Sequence, residues 1–188
     1  MFLENVNDEG IRRLMLSEVE IDEASSNGLN PSKYFSTAGT ALYPALLREA
    51  VQDRDDRWLA QALRQNRCMN ATAMRRKPKG GYTEVKVPVT APDTFAEGEF
   101  NRFYARALCL AAIEGGVPSL QVYRAKAVVV PRAESEAKIG TMIDVQALLN
   151  DLRIHQGMDT ALGLPPGPNS GLSVRLVANV AAVAGSVS

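Results

Sequence analysis

Residues 94–131, TFAEGEFNRFYARALCLAAIEGGVPSLQVYRAKAVVVP, decide how the rest of this chain is read. The first half is a helix with readable ends. Thr94-Phe95-Ala96-Glu97 has the form of a capping box, in which the Thr94 hydroxyl accepts from the third backbone N–H and Glu97 reaches back to the cap. Phe100, Phe103, Tyr104, Ala107, Leu108 and Ala111 then recur at three- and four-residue steps and define one apolar face. Glu99, Arg102 and Arg106 fall on the other side, so that face is expected to carry charge of both signs in water. Gly115 and Gly116 supply a left-handed C-terminal cap, and Pro118 prevents the helix from resuming.

The second half is a strand. Leu120 to Val130 is rich in β-branched and aromatic residues, and Pro131 closes it. Tyr123, Ala125, Ala127 and Val129 point one way, while Val122, Arg124, Lys126 and Val128 point the other. The expectation is a strand near the core with Arg124 and Lys126 at an open surface.

Working outward, a chain of 188 residues is enough for one domain with a real core and short for two. Hydrophobic residues make up 46%, which excludes wholesale disorder. Twenty-one basic and 21 acidic side chains cancel, so no global field draws the chain to nucleic acid or to an anionic membrane. Cys68 and Cys109 are too few for a disulfide framework and lack metal-ligand spacing, which fits a reducing cytoplasm. Met1 to Gly10 has no apolar run resembling a signal peptide, and no stretch is apolar enough to span a membrane.

Residues 1–36 read as an extended arm. They hold a short helix around Ile11 to Leu16, an acidic stretch from Glu18 to Glu23, and turn chemistry at Ser25–Gly28 and Asn30–Ser32. A core over residues 37–160 follows. Thr40 can cap a helix through Leu42, Leu46, Leu47 and Ala50, with Pro44 in its first turn. Asp53, Asp55 and Asp56 open a second helix carrying Trp58, Leu59, Ala62 and Leu63, with Arg64 and Arg67 near its end as the helix dipole favours. Asp144 can cap another through Leu148, Leu149 and Leu152.

One run is strongly basic: Arg75-Arg76-Lys77-Pro78-Lys79-Gly80-Gly81-Tyr82. Its cations could grip phosphates, and Tyr82 could stack on a base. The same run reads more naturally as the solvated turn of a hairpin, because residues 82–89 alternate as a strand. Residues 161–188 read as a Pro/Gly loop followed by an apolar strand or tail. Gly163 to Gly171 holds three prolines and forbids both helix and central strand. In that region Pro165, Pro166, Pro168, Asn169, Val174 and Leu176 are the candidates for contact with a partner.

Catalytic chemistry is hard to find. His155 is the sole histidine and has no nucleophilic relay around it in sequence. Neither a nucleophile elbow nor a zinc-protease or Cys-x-x-Cys spacing occurs. Asp55-Asp56 and Glu134 with Glu136 read as solvated helix ends more naturally than as acid/base or metal pairs. The first suspects for a scattered site would be Arg102, Arg106, Tyr123, Arg124 and Lys126. No catalytic set, cofactor or metal is expected.

The runs Glu99–Tyr104, Arg106–Cys109, Val122–Lys126 and Gly167–Gly171 together resemble small proteins of tailed phages and prophages, over roughly half of the chain. That resemblance implies a setting, a phage particle or the cytoplasm of an infected cell, and brings no activity or site residue with it. The sequence therefore leads to an α+β domain, a few helices on a small sheet with an N-terminal arm and C-terminal tail. The function it suggests is that of a non-enzymatic virion structural protein of minor capsid, cement or head–tail connector type, a homo-oligomer or a partner of other virion subunits. The alternative is a nucleic-acid-binding accessory protein using Arg75, Arg76, Lys77, Lys79 and Tyr82, with Arg102 and Arg106.

Overall fold

The computed structural model describes residues 1–156 and 170–177. Its organising element is helix α4, Ala91–Glu114, about 36 Å long at the usual rise. Eight consecutive residues, Arg102 to Cys109, are all buried, so this helix is enclosed on every side. Three helical units pack round it: α1 (Glu9–Ala24), the pair α2 (Thr37–Asp53) and α3 (Asp56–Gln65), and α6 (Val145–Ile154). A short helix α5 covers Ala133–Glu136.

Two sheets complete the α+β architecture. Strand β3 (Ser119–Arg124) lies between β4 (Met142–Asp144) and β5 (Leu172–Arg175), antiparallel to both. Leu120, Val122, Leu172 and Val174 join the core from this sheet. The second sheet is a two-stranded hairpin of β1 (Thr72–Arg76) and β2 (Tyr82–Lys86), which pair with each other alone.

Local chemistry sets most boundaries. Asp55 accepts from the Trp58 N–H at 2.7 Å to cap α3, and Asp144 accepts from the Ala147 N–H at 2.8 Å to cap α6. Gly116, in the left-handed region at φ +67°, ends α4 as the Gly-Gly pair implied. Two expected starts shift. Helix α4 begins at Ala91, with Pro92 in its first turn, so Thr94 is inside the helix and Glu97 turns outward to Lys126. Helix α2 is capped by Ser36, which accepts from the Gly39 N–H at 3.0 Å; Thr40 and Pro44 therefore lie within the helix. Gly39 is required there, because a Cβ would stand 2.1 Å from the Cys68 carbonyl oxygen.

Three larger expectations are corrected. Residues 1–36 are no arm: α1 is a full helix whose Ile11, Met15 and Val19 enter the common core against α4. Its buried stripe also contains Glu18 and Asp22, which made it look solvated in sequence. The core thus starts near the N-terminus and takes in β5, beyond the expected boundary at residue 160. The strand after α4 stops at Arg124, where its partner β5 begins. Ala125 and Lys126 both donate to the Gly171 carbonyl, at 2.8 and 3.1 Å, and Val129 and Val130 lie exposed in a loop. Finally, Val174 pairs with Val122 inside the core, so it is not free to meet a partner; Leu176 is half-buried against the same core. Pro165, Pro166, Pro168 and Asn169 lie outside the described residues. Among the described residues, no helix is long and apolar enough to cross a membrane.

Candidate functional site

Two groups of basic residues were singled out in sequence, and the fold treats them in opposite ways. Arg102 and Arg106 of α4 do not face water. They form the centre of a buried ion network with Glu18 and Asp22 of α1, Tyr43 of α2, Glu99 of α4 and Arg153 of α6. The network thereby joins four helices.

Arg106 is fully buried. Its NH1 and NH2 donate to the two carboxylate oxygens of Asp22 at 2.8 and 2.9 Å, and its Nε donates to Glu18 Oε2 at 2.5 Å. Arg102 bonds Asp22 at 3.0 Å and grips Glu99 with NH2 and Nε at 2.8 and 3.3 Å. Tyr43 donates to Glu99 Oε2 at 2.8 Å, and Arg153 donates to both oxygens of Glu18, through Nε at 3.0 Å to Oε2. The Phe103 ring lies beside both α4 guanidinium groups, 4.3 Å from that of Arg102 and 5.1 Å from that of Arg106. Three carboxylates meet three guanidinium groups, so the assembly is neutral, and its multidentate geometry offsets the desolvation of each charge.

The protonation states follow from this arrangement. Burial alone would raise the Glu18 pKa, but the hydrogen bonds and charges of Arg153 and Arg106 hold it below the ordinary carboxylate value. For Arg102, burial opposes the charge and Glu99 more than reverses it, so the group is raised. Tyr43 is pushed well up by burial and then by Glu99, and stays a neutral donor. Glu18, Arg102 and Tyr43 thus exchange no proton near neutrality. Arg102 and Arg106 are therefore withdrawn from the nucleic-acid candidates: a phosphate would have to displace buried carboxylates to reach them.

The other catalytic suspects are also engaged in holding the fold. Tyr123 OH donates to the Phe2 carbonyl at 3.0 Å and accepts from the Glu4 N–H at 3.2 Å, fixing the N-terminal segment on β3. Arg124 bonds Glu136 and the Ser170 carbonyl, and exposed Lys126 reaches Glu97 at 2.5 Å. His155 sits at the C-terminal end of α6, 2.5 Å from Asp151, one helical turn earlier. Asp55 is a helix cap, and Asp56 meets the Met1 amino group at 2.6 Å. A cavity of about 510 Å³ opens between the N-terminal segment and α2–α3, lined by Phe2, Arg12, Asp53, Trp58 and Phe100 among others. Arg12 there donates to the Ala50 and Val51 carbonyls at 3.2 and 3.0 Å, ending α2.

The basic run meets the opposite fate. Arg75 and Arg76 end β1, Tyr82 opens β2, and Lys77 to Gly81 make the turn, closed by Lys77 N–H to the Gly81 carbonyl at 3.0 Å. Gly80 and Gly81 take positive φ, +89° and +76°, which the tight reversal requires. Register fixes the faces, because directly opposed residues point the same way. Thr72, Met74 and Arg76 with Lys86, Glu84 and Tyr82 form one face, and all six are exposed. Ala73, Thr83 and Val85 on the other face are half-buried, with Arg75 exposed beside them.

Between Asn70 and Val89 there are five basic side chains and one acidic, a net +4, so the remainder of this neutral chain carries −4. Glu84, the single acid, accepts from the Thr72 hydroxyl at 2.7 Å. Among the described residues, Arg75, Arg76, Lys77, Lys79 and Lys86 form no ion pair. Met74 and Tyr82 stand 65% exposed on the open face. The ribbon thus leaves both charge and apolar surface unspent.

Sequence reasoning located the ribbon but missed Glu18, Asp22, Tyr43, Glu99 and Arg153 as network members. A signal existed: Glu18/Asp22 and Arg102/Arg106 share a four-residue step with opposite sign, as two facing helices would need. No family model, curated protein or solved structure matches this chain, so the geometry alone carries what can be said of its role.

Proposed function

We propose that this chain is a non-enzymatic structural subunit of a phage-type particle, of the minor capsid, cement or head–tail connector kind. It acts by packing on its neighbours, and the β1–β2 ribbon is its docking element. The observation that carries this reading is the ribbon's isolation: neither strand packs more than marginally on any helix or on the three-stranded sheet. A lone two-stranded hairpin is marginally stable in water, and three strands or a packed helix are the usual remedy. A ribbon with an open face gains that support by docking. The polar centre of the body agrees with the reading, since the ion network joins four helices and pairs its charges internally.

The test is light scattering after size-exclusion chromatography, with electron microscopy of the main peak. One variant replaces residues 74–84 by a short Gly-Ser link. The expected result is a closed multimer for the intact chain and a monomer with an unchanged thermal transition for the variant. A multimer that survives loss of the ribbon, or an intact chain that is monomeric throughout, overturns the reading.

A further inference from the structure

The ribbon's chemistry narrows the kind of partner, resting on its reading as the docking element. We infer that it binds nucleic acid by the backbone phosphates, through Arg76 and Lys86 on the open face and Lys77 and Lys79 at the tip. Among the described residues these cations form no ion pair and share one acid, Glu84, although the body has carboxylates to offer and uses them on the buried Arg102 and Arg106. Like charges so placed repel, and a partner of dense, regularly spaced negative charge relieves them together. Duplex DNA presents one charge per ~1.7 Å of its axis.

Shape agrees with charge. Five-residue strands make a ribbon about 17 Å long with strands ~4.8 Å apart, and a major groove ~12 Å wide admits a two-stranded ribbon. The exposed Tyr82 ring lies across the ladder from Arg76, on the same face as Met74 and Lys86. That pairing suits the sugar-phosphate edge of a duplex and a base of an unpaired stretch alike. No side chain of the open face other than Thr72 and Glu84 is committed to a neighbour by a hydrogen bond, and nothing in the ribbon is arranged to read one base over another. The binding is accordingly independent of sequence.

The experiment uses the full chain with a fluorescein-labelled duplex oligonucleotide and its single strand, read by anisotropy across a salt series. Four phosphate contacts give a slope of log K against log salt of about −3.6, or roughly a 150-fold loss between about 50 and 200 mM salt. Lys77→Glu with Lys79→Glu should abolish binding at the lowest salt. Arg13→Glu with Lys138→Glu makes the same change in net charge on the body and should leave most of it. No binding at low salt, binding indifferent to salt, or an equal loss from the body variant would overturn the inference. Self-association without oligonucleotide that both added salt and Lys77→Glu with Lys79→Glu remove would also overturn it, by making an acidic protein surface the partner of these cations, whereas a multimer that survives those two substitutions and is lost only with residues 74–84 is compatible with both readings. The first of these outcomes leaves the assembly reading standing. Oligonucleotide binding by a chain whose multimer ignores ribbon deletion has the reverse meaning: the inference holds and the assembly reading fails.

Discussion

The interior of the α1–α4 interface and the tip of the β1–β2 ribbon are both rich in arginine or lysine, yet they represent opposite uses of charge. In the interior, each cation meets carboxylates supplied by a neighbouring turn or another helix, and the sum is neutral. At the ribbon, five cations share one acid, and that acid is held by a threonine. The difference teaches that a basic residue's role is set by where its complement lies. When the complement is inside the chain, charge fixes helix register; when it is not, charge is available to something else.

The largest expected effect strikes the interior. Arg106→Met removes one partner from Glu18 and Asp22 and leaves buried negative charge uncompensated. Such a break costs about 3–5 kcal/mol, which for a chain of this size lowers Tm by roughly 10 °C or more. Calorimetry on the purified variant checks it. A loss of only a degree or two would mean that water reaches the network, and the contrast with the ribbon would weaken.

Next in size is Tyr43→Phe, which deletes one donor to Glu99 and preserves the aromatic packing with Phe35 and Phe95. A hydrogen bond to a charged group is worth about 1.5–3 kcal/mol, so urea unfolding should shift by less than in Arg106→Met. An equal loss would show that the two side chains act as one unit.

The acid limb of the stability profile sharpens the comparison further. Glu18 has a folded pKa below its ordinary value of 4.5, because its arginines hold the carboxylate ionised. Below that ordinary value the unfolded chain takes up the proton first, so stability is fully present above it and is lost as pH falls through the folded value. Thermal unfolding followed from neutrality into acid should therefore fall steeply in the native chain. In Glu18→Gln, which starts lower, the curve should be flatter in the same window. Ribbon variants should follow the native curve, since no ribbon group belongs to the network.

The sequence shows the starts of α3 and α6, the C-terminal end of α4 and the hairpin turn, because Asp55, Asp144, Gly116 and the Gly80–Gly81 pair act through bonds within a few residues. The placement of α1 was not legible in the same way. Its stripe of Ile11, Met15, Glu18, Val19 and Asp22 is helical in spacing, but two acids in a core face look solvated until the arginines opposite are known. The same blindness placed Arg102 and Arg106 in water. Strand β3 was overextended because Val128 to Val130 are good strand residues, while its true end depends on where its antiparallel partner β5 begins. Val174 looked like a tail residue because its partner, Val122, lies far away in sequence. Of the candidate site, the basic residues and Tyr82 were visible; that they are unpaired while the interior arginines are paired is a property of the fold alone.

The smallest expected effect is the most direct test of that contrast. Lys77→Glu with Lys79→Glu changes four units of charge at a tip whose residues are all exposed. Substitutions on such a surface leave stability nearly unchanged, so Tm should stay within about 2 °C of the native value. Any shift should be upward at low salt, because the change relieves repulsion among Arg75, Arg76 and their neighbours, and added salt should erase it within the Debye length of about 10 Å at 0.1 M. A fall approaching that of Arg106→Met would mean that the ribbon is tied to the body by contacts of its own. The cations would then have a structural duty, and the reason for assigning them an external partner would be gone.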